Sequence, residues 1–399
     1  MIKATGIVAE YNPFHNGHKL QIDRVRSMGA EHIVAVMSGS FVQRGEPAVF
    51  DKFVRTRAAL LNGVDIVIEL PTVYACASAE FFASSAVSLM EKSGVVESIC
   101  FGSESGDIEK LSRAAGLLIE ESDVYKSALK LRLDSGDAYH AARAKAFAKT
   151  AELTEIEDIE FFKSPNNILA IEYLKALSRQ QSNIIPITIK REDKGYHSLD
   201  MSGAFASAAA IRRAMAESAD YAGVVPGNVL DLYKKSPANR FENYTTILKY
   251  IAAENPDELS GILDVSEGLE NRIIECLTRE VTAEAMIDAI KTKRYARTRI
   301  QRVLAHMLLN ITKDDFNLYE TSGGPQYLRV LGVRRESRCL IHELPRKAAL
   351  PLVMNLKADE QKLSPIARKM LEKDILATKI HNIGTGNNVS DYRNGLVVI

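Results

Sequence analysis

Two histidines three residues apart, His15 and His18, flank an Asn16-Gly17 pair just after an apolar run. Ile2 to Ala9 has the composition of a buried strand, and Asn12-Pro13 ends it. Leu20 to Met28 then follows helical periodicity. A strand, a tight turn and a helix start carrying two imidazoles suit the handling of phosphate. The first helical turn offers free N–H groups and partial positive charge. Gly17 lets the backbone approach a ligand closely. Imidazoles donate hydrogen bonds to phosphate oxygens as charge builds in a transition state. The pattern predicts an ATP site that cuts between the α- and β-phosphates, with His15 and His18 as its catalytic pair. It disfavours a metal centre, because no nearby Cys or acid completes a zinc ligand set.

The elements that position this motif follow from length and periodicity. A chain of 399 residues predicts two domains, or at most three. Val- and Ile-rich runs at His32–Met37, Asp65–Leu70, Ser98–Phe101 and Ile184–Ile189 read as strands. Helical stretches lie between them at Lys52–Asn62, Ala79–Lys92, Ile108–Glu121 and Asn166–Leu177. This alternation predicts an α/β, Rossmann-like parallel sheet with its ligand beyond the carboxyl ends of the strands. From about Ala214 strands become scarce, and Asn243 to Ile311 reads as several helices. We expect a catalytic domain over 1–220 and a mainly helical domain over 240–399. Val225-Pro226-Gly227 and Lys234–Asn239 read as linker.

Lys plus Arg equals Asp plus Glu at 51 each, so any nucleic-acid surface must come from local clustering of base. No charged leader precedes an apolar stretch, and no apolar run is long enough to span a bilayer. Cys76, Cys100, Cys276 and Cys339 lack paired spacing, as expected for free thiols in a reducing cytoplasm. Oligomeric state stays open.

The stretch Ala9-Glu10-Tyr11-Asn12-Pro13-Phe14-His15-Asn16-Gly17-His18 resembles the HxGH nucleotidyltransferase superfamily. A narrower set of blocks looks like the bacterial tRNA(Met) cytidine acetate ligases. These blocks are Gly6 to Lys19, Met37 to Pro47, Gly63 to Pro71, Phe101-Gly-Ser-Glu104, Ser164-Pro-Asn-Asn167, Ser207 to Arg212 and Lys293 to Arg299. They occur in order over most of the chain. The resemblance implies activation of acetate by ATP to acetyl-adenylate, with magnesium expected from the nucleotide chemistry. The acetyl group then passes to N4 of the wobble cytidine of elongator tRNA(Met). By the same resemblance, the ATP site takes in Ile7, Val8, Ala9, Glu10, Tyr11, Asn12, Pro13, Phe14, His15, Asn16, Gly17, His18, Lys19 and Leu20. Gly102, Asn166, Arg191, Ser207 and Arg212 join it.

Two departures stand out. Glu10 replaces a small hydroxyl residue, and an acid there repels phosphate unless it faces elsewhere or carries a countercharge. The second phosphate motif keeps Ser207 and Arg212 but has Ala208 and Ala209 in place of hydroxyls.

Acetate is ionised at neutral pH, so the first step needs positioning and charge stabilisation rather than a base. Arg44, Lys52 and Arg55 are candidates for pyrophosphate or tRNA, whereas Asp65 and Glu69, in a buried strand, should be paired. Lys291, Lys293, Arg294, Arg297, Arg299 and Arg302 form the densest basic cluster, with Tyr295 among them as a stacking platform for RNA. Arg334, Arg335, Arg338 and Arg346 extend it. The competing reading is a small-molecule adenylyltransferase of the nicotinamide or pantetheine nucleotide type. The helical domain and basic cluster argue against it, since a small acceptor needs neither.

Overall fold

The computed structural model describes residues 3–120, 122–137, 139–150, 161–162, 164–191, 203–293 and 295–399. The Val/Ile runs form five parallel strands: β1 (Ala4–Ala9), β2 (His32–Ser38), β3 (Ile66–Leu70), β4 (Val96–Ser103) and β5 (Ile185–Lys190). Their order is β5-β4-β1-β2-β3, so the chain reverses direction across the sheet between β1 and β4. A ligand crevice opens at such a switch point, outside the carboxyl ends of the strands.

Among the described residues, helices longer than one turn are, in order, α1 (Asn16–Ser27), α2 (Lys52–Leu61), α3 (Ala79–Ser93), α4 (Ile108–Glu120), α5 (Asp123–Asp134), α6 (Tyr139–Thr150), α7 (Pro165–Arg179) and α8 (Ala208–Ala216). They continue with α9 (Leu230–Lys234), α10 (Thr245–Glu254), α11 (Leu269–Arg279), α12 (Ala283–Ile290), α13 (Arg297–Leu309), α14 (Lys313–Thr321), α15 (Arg338–Lys347) and α16 (Pro365–Thr385). Both faces of the sheet are covered. Ile33, Ala35 and Met37 of β2 pack with Ile22 and Val25 of α1 and Phe53 of α2, while Val34 and Val36 join the core containing Leu89 and Met90 of α3. A strand buried on both sides reads as an unbroken apolar run, which is why β2 is visible in the sequence.

From α10 to α14 the chain is mainly helical, but the remainder returns to the sheet. β6 (Leu328–Val333) pairs antiparallel with β3, and β7 (Leu352–Val353) and β8 (Val397–Val398) pair with β6. The supposed linker is also packed. Val225, Val229 and Tyr233 are buried with α1 and α2, and Asn239 N donates to Val49 O at 2.7 Å. The four cysteines are free. Among the described residues, no helix is long and apolar enough to cross a membrane.

Five charged side chains gather at the carboxyl end of β3, beside β6. Lys52 Nζ is 2.8 Å from Glu69 Oε1 and 2.7 Å from Asp391 Oδ1, and Arg329 bridges the same two acids at 3.1 and 2.6 Å. Asp374 accepts from Thr72 N at 2.7 Å and from the Tyr327 hydroxyl. Asp65 and Glu69 are thus paired as anticipated, Asp65 with Arg26, Ile33 N and Ser337.

Burial holds His18, His306 and His381 below the usual imidazole range, His381 at about 4. The unfolded chain therefore takes up protons first, and this contribution to stability, complete above pH ~6.5, is lost as pH falls. His381 alone should cost about 2 kcal/mol by roughly pH 5. Asp374, pushed up to about 6 by burial and Glu69, works in the opposite direction over the same range. The measurement is therefore comparative. Thermal midpoints between pH 7 and 5 should fall more steeply for the parent than for His381→Gln, and parallel curves would refute the assignment.

Candidate functional site

The motif expected to handle phosphate sits at the switch point, where β1 ends and α1 begins. His15 is the N-cap of α1: its Nδ1 accepts from Gly17 N at 3.0 Å, and its backbone N donates to His18 Nδ1 at 3.2 Å. A neutral imidazole has one donor and one acceptor nitrogen. Because both Nδ1 atoms accept, both protons reside on Nε2, and each ring is an uncharged N–H donor. The rings stack at 3.8 Å between centroids. Burial, His15 and Arg191 together hold the His18 pKa well below the ordinary value, so that ring stays neutral. Gly17 is required here. A Cβ would stand 2.9 Å from His15 Cε1, blocking the fold-back of that ring.

Residues distant in sequence converge on the pair. Arg191 N donates to Ser103 O at 2.9 Å, and its guanidinium donates to Asn166 Oδ1 at 3.2 Å. Gly102 lies within β4 rather than past it; a Cβ there would be 3.1 Å from Arg191 Cγ, so the missing side chain makes room for the arginine. Glu104 locks the start of α7. Its carboxylate accepts from Asn166 N, Asn166 Nδ2 and Asn167 N at 3.1, 2.7 and 2.7 Å, and Asn167 Oδ1 accepts from Glu104 N at 3.0 Å. On the other flank, Arg212 donates to Asn12 O at 2.9 Å and pairs with Glu46 at 3.1 Å. His15, His18, Gly102, Asn166 and Arg191 are thus brought together, with Asn12 and Arg212 beside them.

Other candidates also hold the local structure together. Lys19 pairs with Asp23 on the surface of α1. Asn16 Nδ2 donates to Ala204 O and Gly223 O, and Ser207 caps α8 by accepting from Ala210 N at 3.1 Å. Asn12 is buried, and its Oδ1 accepts from Val49 N at 2.7 Å. Glu10 faces the loop after β2, accepting from Gln43 N at 2.8 Å; burial raises its pKa against the pull of Gln43, Arg212 and Arg44. The countercharge that an acid at this position requires is therefore present. Ile7, Ala9, Tyr11 and Phe14 are core residues of β1 and its turn, Val8 packs against the core on the other face of the sheet, Pro13 is buried and Leu20 half-buried.

Lys52 and Arg55 require correction. Both are fully buried: Lys52 belongs to the ionic cluster, and Arg55 donates to the carbonyls of Phe50, Glu10, Ser38 and Gly39. Neither is placed to meet pyrophosphate or RNA. The basic stretch also differs from expectation. Tyr295 is only 8% exposed, with its hydroxyl on Ser266 O and Arg299 lying over its ring, so it offers no free face for stacking. Arg297 pairs with Glu284 and Asp288, Arg299 donates to Asp264 O, and Arg302 pairs with Asp264. Lys293 is exposed, and Arg294 lies outside the described residues. Arg334 to Arg346 do not extend this patch, because β6 runs antiparallel and delivers them to the opposite edge of the sheet, beside Ile66.

Glu104, Glu46 and Tyr233 carry no role that their sequence neighbours reveal. Glu46 links Arg212 to Gln301 of α13, whose Nε2 donates to it at 3.0 Å. Gly45, at φ +76°, lets that loop meet α13, since a Cβ would lie 2.3 Å from Arg302 N. Tyr233 donates its hydroxyl to Phe14 O at 3.0 Å, directly behind His15.

The family model for HIGH nucleotidyltransferases matches residues 2–394. A tRNA(Met) cytidine acetate ligase of Acetivibrio thermocellus is 40% identical over 394 residues, covering 95% of this chain and 94% of that protein. One from Thermoanaerobacter sp. is 41% identical, with 96% of each covered. The crystal structure of Thermotoga maritima TmcAL bound with alpha-thio ATP superposes with a TM-score of 0.91 at 32% identity over 99% of both chains. Its apo form gives 0.93 at 31% identity over the full length of both. Fold, motif geometry and full-length similarity agree, and the chain belongs to the HIGH nucleotidyltransferase family and, within it, to the tRNA(Met) cytidine acetate ligases.

Proposed function

We propose that the chain joins acetate to N4 of the wobble cytidine of elongator tRNA(Met) in two ATP-driven steps. First, a carboxylate oxygen of acetate attacks the α-phosphorus, the bond from that phosphorus to the bridging oxygen breaks, and pyrophosphate leaves. Second, the cytidine N4 attacks the acetyl carbonyl, AMP leaves, and N4 loses a proton. The observation that carries this reading is the stacked pair of neutral Nε2–H donors at the helix start. Such donors stabilise charge growing on phosphate without competing for a proton. Asn166, Gly102 and Arg191 form the nucleoside side of the site, and Arg212 with Asn12 the phosphate side.

Among the described residues, no group of three or more His, Cys, Asp or Glu is placed to hold a metal. Magnesium enters this proposal with the nucleotide phosphates. A reaction on tRNA driven by ATP belongs in the cytoplasm.

Incubation with radiolabelled acetate, ATP and elongator tRNA(Met), followed by digestion to nucleosides, should yield labelled acetylcytidine only when ATP is present. ATP consumption with nicotinamide or pantetheine phosphates, and no acetylcytidine, would contradict it. Glu104 supplies a second check. Glu104→Ala removes the acceptor that orients Asn166 and the start of α7. Loss of about 1.4 kcal/mol of ground-state binding corresponds to roughly a tenfold rise in KM for ATP. Steady-state kinetics should show that rise with kcat little altered; an unchanged KM would separate Glu104 from the nucleotide.

A further inference from the structure

RNA must deliver one unpaired base to the histidine pair, so its neighbouring phosphates have to lie beside the motif. The basic stretch around α13 is largely neutralised by Asp264, Glu284 and Asp288. A different segment meets the geometric demand. Residues 234–240 are fastened at both ends to the phosphate motif. Tyr233, one residue before, donates to Phe14 O at 3.0 Å and stacks on Phe50 at 4.6 Å between centroids. Asn239 N donates to Val49 O at 2.7 Å, and Val49 N is itself held by Asn12. Between and beside these buried anchors, Lys234, Lys235 and Arg240 are exposed and have no acidic partner among the described residues. Oε1 of nearby Glu242 accepts from Ala283 N at 3.0 Å.

Resting on the proposed function, we infer that Lys234, Lys235 and Arg240 seat the single-stranded backbone of the anticodon loop beside His15 and His18. Unpaired surface cations on a fixed strip attract phosphates without first having to break an ion pair. The two buried anchors keep that strip at a constant distance from the imidazoles. The partner chemistry is the phosphodiester backbone of an unpaired RNA loop, and no base-specific contact is assigned to these residues.

The test is the full-length triple variant Lys234→Ala, Lys235→Ala, Arg240→Ala, with Arg297→Ala as comparator. Binding of elongator tRNA(Met) is measured by filter retention over a range of salt concentrations, together with acetate-dependent ATP–pyrophosphate exchange in the absence of tRNA. The triple variant should bind tRNA at least tenfold more weakly. Its slope of log affinity against log salt should be shallower by about 2, since each single-strand phosphate no longer neutralised removes roughly 0.7. Exchange without tRNA should stay within twofold of the parent. Arg297→Ala, whose guanidinium is already paired, should cost less than threefold. Parental affinity and slope in the triple variant, or a larger loss from Arg297→Ala, would overturn the assignment while leaving acetylation by the parent intact. Failure of the parent to bind and acetylate tRNA would instead overturn the proposed function, and this surface with it.

Discussion

Replacing His18 with alanine is expected to lower acetate-dependent ATP–pyrophosphate exchange by about 10²–10³-fold, the usual cost of removing one preorganised donor to a developing anion. The size of the effect follows from the tautomer. His18 Nδ1 is committed to His15 N at 3.2 Å, so its proton sits on Nε2, and burial keeps the ring uncharged. The donor is therefore ready before substrate arrives and needs no protonation step. The fold should survive. His18 contributes one half of a capping box, and a lost cap costs about 1 kcal/mol. Affinity for tRNA should remain within twofold of the parent, because Tyr233 and Asn239 anchor the neighbouring surface independently of this ring. Exchange within threefold of the parent would remove His18 from the chemistry.

The second large effect concerns stability. Lys52→Met leaves Glu69 and Asp391 sharing only Arg329 in a region with no solvent access. Stripping one partner from a buried ionic group costs about 3–5 kcal/mol, because the remaining charges lose their compensation. Asp391 shows what is at stake: burial raises its pKa, yet Lys52 and Arg329 hold it down to about 2. The thermal midpoint should fall by about 4–6 °C for a chain of this size. Adding Glu69→Gln, which removes one of the two stranded charges, should recover part of the loss. A midpoint within about 2 °C of the parent, measured by calorimetry, would contradict the placement of these charges.

The legible and illegible parts of this protein divide along sequence separation. β2, β3 and β4 announce themselves because a doubly covered parallel strand needs apolar residues on both faces. The histidine motif is legible for a related reason: its capping bonds span only two or three residues. What stays hidden depends on partners far along the chain. Leu328–Val333 is a short run like many others until it is known to pair with Ile66–Glu69. Arg297 and Arg302 read as free cations because Glu284, Asp288 and Asp264 stand nine to 38 positions away. Lys52 reads as a surface cation for the same reason, since Asp391 closes its shell from the opposite terminus. Lys234–Asn239 looks like linker from its polar composition, although Tyr233 and Asn239 tie it to the histidine turn and the loop before α2. Glu104 is visible as a residue, but its function as the lock on α7 requires the two segments to be side by side.

In the proposed reaction His15 and His18 present two neutral Nε2–H groups to the phosphates of ATP. A crystal structure of this chain with a non-hydrolysable ATP analogue tests it directly. Both Nε2 atoms should lie within about 3 Å of phosphate oxygens, with Asn166 and Arg191 on the nucleoside side. Phosphates bound away from both imidazoles, in a fully occupied complex, would contradict it.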